Sequence, residues 1–197
     1  MNTNSHSEDM KAIRKIMEES SRFLSLNGLS GIFAGFFAIC GSIMAAIAIQ
    51  KSQTAEIKSL GLILLLDALI VLSAALGISV YLSLRKASRM DLKIWTSTTR
   101  RMLMNLLIPL FTAAILILAF YLDGNYDYII PSMLVFYGLA LVGAGKFTFG
   151  EIQYLGMFEI LTGIFAFFFP GLGLVLWAFG FGILHILYGL IMHIKYR

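Results

Sequence analysis

Apolar residues along this chain fall into six long runs separated by short connectors rich in charge. The runs lie near residues 24–49, 60–84, 102–122, 128–145, 152–169 and 171–194. A helix needs roughly 18 or more such residues to cross a hydrocarbon core of about 30 Å, and every backbone group inside that core must be satisfied within the protein. The pattern therefore predicts an all-α fold, a polytopic membrane bundle of six transmembrane helices. The fourth and fifth runs are barely long enough to cross, so they are expected to stand nearly upright or to thin the bilayer around them. Residues 1–23 form an N-terminal segment, 24–194 the membrane domain and 195–197 a tail, which leaves no room for a soluble domain.

The connectors set an orientation. Lys11, Arg14, Lys15 and Arg22 precede the first run, and Arg85, Lys86, Arg89, Lys93, Arg100 and Arg101 crowd the second connector. Lys146 lies in the fourth connector, and Lys195 and Arg197 in the tail; Lys51 and Lys58 alone fall on the other side. Positive residues stay cytoplasmic, so both termini are expected in the cytoplasm, as an even number of crossings demands. Composition agrees: 59% hydrophobic against 13% charged residues, with a mean hydropathy of +0.86, is outside the range of a soluble domain. The net charge of +4 is then a topology signal and an attraction to anionic lipid. No basic patch interleaves with aromatics outside the membrane, so no nucleic-acid partner is expected.

The N-terminal segment does not read as a cleavable signal, because the apolar core that begins at Phe23 is far longer than a signal's h-region. Ser5 and Glu8 fit a capping box, and Met10, Ile13, Ile16 and Met17 recur at helical spacing. That stripe fits a short amphipathic helix on the inner leaflet, or a solvated extension of the first span. Trp95 reads as an interface anchor. Asp123-Gly124-Asn125 reads as a turn, and Phe169-Pro170-Gly171-Leu172 is so short that spans five and six should form a tight hairpin.

Redox, metal and cofactor chemistry find little support. Cys40 is the single cysteine and lies inside the first span. Of His6, His185 and His193, the last two stand about 12 Å apart along one helix, too far to share a metal ion. No metal and no cofactor is expected. Gly28, Gly31 and Gly35 line one face of the first span in the small-xxx-small pattern of close helix packing. Gly138, Gly143, Gly145, Gly180, Gly182 and Gly189 suggest similar contacts in spans four and six. Packing within one subunit explains these glycines most simply; a homo-oligomer is the alternative.

Ser30-Gly31-Ile32-Phe33-Ala34 in span one is echoed by Thr162-Gly163-Ile164-Phe165-Ala166 in span five, which raises the hypothesis of three repeated hairpins. The run from Gly156 through Glu159 and Thr162 to Phe169-Pro170-Gly171, and on to Gly182 and Gly189, resembles the glycine-punctuated hairpin of the HdeD-like acid-resistance membrane proteins. That family also has six spans built from repeated hairpins, and the resemblance covers mainly residues 152–194. Ser20-Ser21-Arg22-Phe23-Leu24-Ser25-Leu26 looks like small uncharacterised bacterial membrane proteins. The resemblance implies a bacterial inner-membrane stress protein with no catalytic residues to carry over.

An enzymatic alternative starts from Gly28-Leu29-Ser30-Gly31, which resembles the G-x-S-G nucleophile motif of rhomboid intramembrane proteases. By helical rise, Ser30 lies about 10 Å and His185 about 13 Å from the cytoplasmic ends of their spans, so a Ser30–His185 dyad is a hypothesis. Against it, the motif sits in the first span instead of the fourth, and no oxyanion donors accompany it.

Asp67 and Glu159 are the acids inside the runs, and each costs a few kcal/mol there unless neutral or paired. Counted back from Pro170, Glu159 lies about 16 Å and His185 about 21 Å deep on adjoining helices, within side-chain reach if their faces match. Asp67, Asn105 and Tyr188 are further candidates for one polar network or ion path, with Thr112 and Tyr154 beside them. The favoured expectation is a network that fixes helix register in a non-enzymatic stress-related or accessory membrane protein. The alternative is a small proton-coupled transporter or channel that uses Asp67, Glu159 and His185.

Overall fold

A helix bonds each backbone group within its own segment and so survives in lipid; each of the six apolar runs yields a helical span long enough to cross a membrane. The computed structural model describes residues 27–52, 57–90 and 93–196, with the backbone alone at 57–59. Helices α1 (Gly28–Lys51), α2 (Ile57–Arg89), α3 (Ser97–Leu122), α4 (Ile129–Gly145) and α5 (Glu151–Phe168) follow in order. The sixth span opens on a 3-10 turn at Pro170–Leu172 and continues as α6 (Gly173–Trp177), a π-helical segment (Ala178–Leu184) and α7 (His185–Lys195). No strand occurs among the described residues. Six helices are long and apolar enough to cross a membrane, and the chain is a multi-pass membrane protein. The capping box at Ser5 and Glu8 and the stripe from Met10 to Met17 lie outside the described residues.

Local chemistry fixes the helix ends. Asn27 starts α1 by accepting from the Leu29 amide at 3.1 Å, and Thr96 starts α3 by accepting from the Thr99 amide at 3.1 Å. At the end of α3 the Asn125 amide donates to the Phe120 carbonyl and the Gly124 amide to that of Tyr121. This is a Schellman stop, and it needs the left-handed φ of +74° that Gly124 supplies. Inside α3, Pro109 has no N–H for the Asn105 carbonyl. Gly143 of α4 packs onto that carbonyl, where an added Cβ would stand at 3.3 Å.

The helices pack in a lateral series. The most extensive contact joins α4 to α5; α3 packs on α4, α2 on α1, and α1 on α7 and the π segment. The apolar window of α2 contains no buried residue, which makes α2 the outermost helix on its side. Spans five and six are joined by the expected tight turn, yet the sixth span makes its larger contact with α1. Glycine explains the preference: a Cβ on Gly189 would lie 2.5 Å from the Ile32 amide nitrogen, and one on Gly28 or Gly35 would collide with the backbone of His193 or Gly182. Gly28, Gly31 and Gly35 thus seat α1 against the sixth span of the same chain. The echoed segments meet different neighbours: Gly31 faces α7, whereas Gly163 faces the Val135 backbone of α4.

Candidate functional site

The α4–α5 contact is built on backbone touching backbone. A Cβ on Gly138 would sit 2.5 Å from the Gly156 carbonyl, and one on Gly163 would sit 2.8 Å from the Val135 amide nitrogen. Gly156, Glu159 and Gly163 share one face of α5 by their i, i+3 and i+7 spacing. Burying that glycine stripe therefore carries the Glu159 carboxyl into the middle of the bundle, where it is 0% exposed.

Two residues from other helices meet it. His185, the first residue of α7, is buried, and its Nδ1 lies 3.4 Å from Glu159 Oε1. The same Nδ1 lies 3.1 Å from the Gly180 carbonyl, and its Nε2 lies 2.8 Å from the hydroxyl of Tyr137 on α4. A carbonyl can only accept, so Nδ1 carries a hydrogen and directs it to Gly180. In the neutral ring Nε2 then accepts from the Tyr137 hydroxyl. With the Nδ1 hydrogen spent on Gly180, the contact with Glu159 is electrostatic, and neither Glu159 oxygen has a hydrogen-bond partner. The rings of Tyr137 and His185 stack at 5.5 Å, with Phe181 5.0 Å from Tyr137 and Trp177 5.3 Å from Phe181.

The π-helical segment shapes this pocket. It holds Gly180, whose added Cβ would stand 2.6 Å from Glu159 Oε2 and 2.6 Å from Leu134 Cδ2. Any larger residue there would drive into the carboxyl. Such segments concentrate at functional sites, and this one sits directly before His185.

The other anticipated residues stand elsewhere. Asp67 lies half-buried on α2 across from Gly41 of α1, where a Cβ on Gly41 would be 3.4 Å from its Oδ2. Asn105 is exposed and donates from Nδ2 to the Arg101 carbonyl of its own helix at 2.9 Å. Thr112 likewise donates to Ile108, and Tyr154 is exposed. Tyr188 packs one turn beyond His185 against the cluster of Leu141, Ile152 and Leu155. Tyr137 is the member that sequence reasoning missed. Its signal was position: it is the central residue of the 17-residue α4, level with the apolar middle of the bundle.

Chemically, a carboxyl beside an imidazole can hold an ion pair or exchange a proton. Among the described residues no group of three His, Cys, Asp or Glu could hold a metal ion. The Ser30 hydroxyl donates to the Asn27 carbonyl at 2.5 Å, while the ring nitrogens of His185 face Tyr137, Gly180 and Glu159; these contacts do not form a serine–histidine dyad. Compared with known proteins, the chain matches no family model, no curated protein and no solved structure, so the site is read from its own geometry.

Proposed function

We propose that this chain is a non-enzymatic bacterial inner-membrane protein of the HdeD-like sort, a stress-related or accessory component with both termini in the cytoplasm. In this reading Glu159, His185 and Tyr137 act as a polar clamp that holds spans four, five and six in one arrangement. The observation that supports it is the tightness of the carboxyl's seat, with Oε1 3.4 Å from His185 Nδ1 and Oε2 so near Gly180 that an added methyl there would stand 2.6 Å from it. Buried charges and polar groups are costly in lipid, and their best-attested structural use is to specify register. The test is purified protein in liposomes carrying an internal pH dye. The expected result is that Glu159→Gln leaves any proton flux unchanged. Flux that vanishes in a folded Glu159→Gln variant would overturn the clamp.

One observation favours a second reading, proton-coupled transport through Glu159 and His185. Both Glu159 oxygens lack a hydrogen-bond partner, and His185 follows a π-helical segment, the kind of irregularity found where a helix does more than span. Asp67 stands apart on α2, so the path in this reading would involve the pair alone. The same liposome assay separates the two.

A further inference from the structure

At the basic end of the bundle the first turn of α1 backs onto the last turn of α7, because Gly28 admits the His193 backbone. Beside this contact lies a cleft of about 260 Å³ lined by Asn27, Leu29, Lys86, Arg89, His193 and Tyr196. Lys86 and Arg89 are three residues apart in the last turn of α2 and so share a face. Lys86 Nζ stands 5.7 Å over the Phe149 ring, which packs at 4.4 Å against Tyr196. Among the described residues, Glu151 at this end is engaged: Lys195 and the Tyr196 hydroxyl both donate to its Oε1. The cleft thus gathers two basic side chains and a histidine ring.

We propose that this cleft binds a phosphate-group anion, and that in the membrane its ligand is the headgroup of an anionic phospholipid. The volume suits a phosphate and the first atoms of its ester, and falls below the usual drug-sized pocket of about 300 Å³ or more. Arg89 supplies the planar fork that engages two phosphate oxygens, and Lys86 supplies a point charge. A cluster of basic residues at the end of membrane spans lies where anionic headgroups are concentrated. The proposal rests on the reading that the basic connectors lie at a lipid–water interface, and is independent of the Glu159 clamp.

The test is binding of detergent-solubilised full chain to short-chain phosphatidylglycerol, short-chain phosphatidylcholine and inorganic phosphate. Phosphatidylglycerol should bind saturably and about tenfold or more tighter than phosphatidylcholine. Loss of one charge-assisted contact should weaken it about tenfold in Arg89→Gln and in Lys86→Gln. Arg101→Gln, which removes the same charge from α3 outside the cleft, should leave it unchanged. Arg89 is exposed, so its variants should fold as judged by circular dichroism; Arg89→Lys, which keeps charge without the fork, should fall between. Inorganic phosphate as tight as phosphatidylglycerol would keep the site and assign it to a soluble phosphate ester. Equal affinity for phosphatidylcholine, or equal loss in Arg101→Gln, would overturn the proposal.

Discussion

Glu159 Oε1 lies 3.4 Å from His185 Nδ1, and this contact ties α5 to the sixth span where both residues are sealed from the surroundings. Its two sides are unequal. His185 has further partners in Gly180 and Tyr137, whereas Glu159 has His185 alone.

That inequality predicts a graded mutant cycle. His185→Leu should cost about 3–5 kcal/mol, because it strands a buried carboxyl that has no other partner. Glu159→Leu should cost less, since His185 keeps its bonds to Gly180 and Tyr137. The double variant should be more stable than the summed losses predict, by about 0.5–3 kcal/mol. Reversible unfolding in detergent measures all three; additive losses would show that the two residues are uncoupled.

Tyr137→Phe isolates the third member. The ring and its contacts with Phe181 and His185 remain, and the hydroxyl at 2.8 Å from Nε2 is lost. Leaving a buried ring nitrogen without its partner should cost about 1–3 kcal/mol. A variant as stable as the parent would remove Tyr137 from the clamp.

How far the pattern of residues carried the fold depends on which physical quantity is asked for. The six spans were legible because lipid demands long apolar helices, and hydropathy reports that demand directly. Helix ends were less so: α2 runs to Arg89 and α3 starts at Ser97, beyond the apolar windows 60–84 and 102–122, because the Thr96 cap and basic last turns extend helices into polar surroundings. Depth counting brought Glu159 and His185 to similar levels. It could not give rotation about the helix axis, and so it did not separate Asp67, which turns toward Gly41. Tyr137, whose one sequence signal was its depth, and the π-helical segment were hard to read for a related reason, since their meaning comes from partners on other helices, 48 residues away in the case of Tyr137 and His185.

Glycines offer a contrast within one chain. Gly189→Ala places a methyl 2.5 Å from the Ile32 amide nitrogen and 2.6 Å from the Gly28 carbonyl, backbone atoms that cannot step aside singly. It should force α1 and α7 apart and cost about 1–3 kcal/mol, the usual range for overpacking. Gly77→Ala on α2 meets nothing within 4 Å and should be neutral or stabilise by up to about 1 kcal/mol through helix propensity. Paired thermal unfolding curves in one detergent check both, and equal shifts would show that the α1–α7 contact is looser than drawn.

Orientation can be tested without purification. Lys51 ends α1, and Asn125 follows α3 at the same end of the bundle, whereas Arg89 ends α2 at the opposite end with the tail. Among the described residues, Arg85, Lys86, Arg89, Lys93, Arg100, Arg101, Lys146 and Lys195 lie toward that second end, and such residues resist transfer across the membrane. Reporter fusions after Lys51 and after Asn125 should therefore be active only when the reporter works outside the cytoplasm. Fusions after Arg89 and after Arg197 should be active only with a cytoplasmic reporter. Shifting the balance should matter most at the second connector, which carries six of the basic residues: replacing Arg85, Lys86, Arg89, Lys93, Arg100 and Arg101 with Gln should produce mixed reporter signals after Arg89 while the fusion after Arg197 stays cytoplasmic. A C-terminal fusion that reports the far side in the parent chain would sink the orientation with both termini in the cytoplasm, and the lipid-headgroup assignment of the basic cleft would then have to be made for the opposite leaflet.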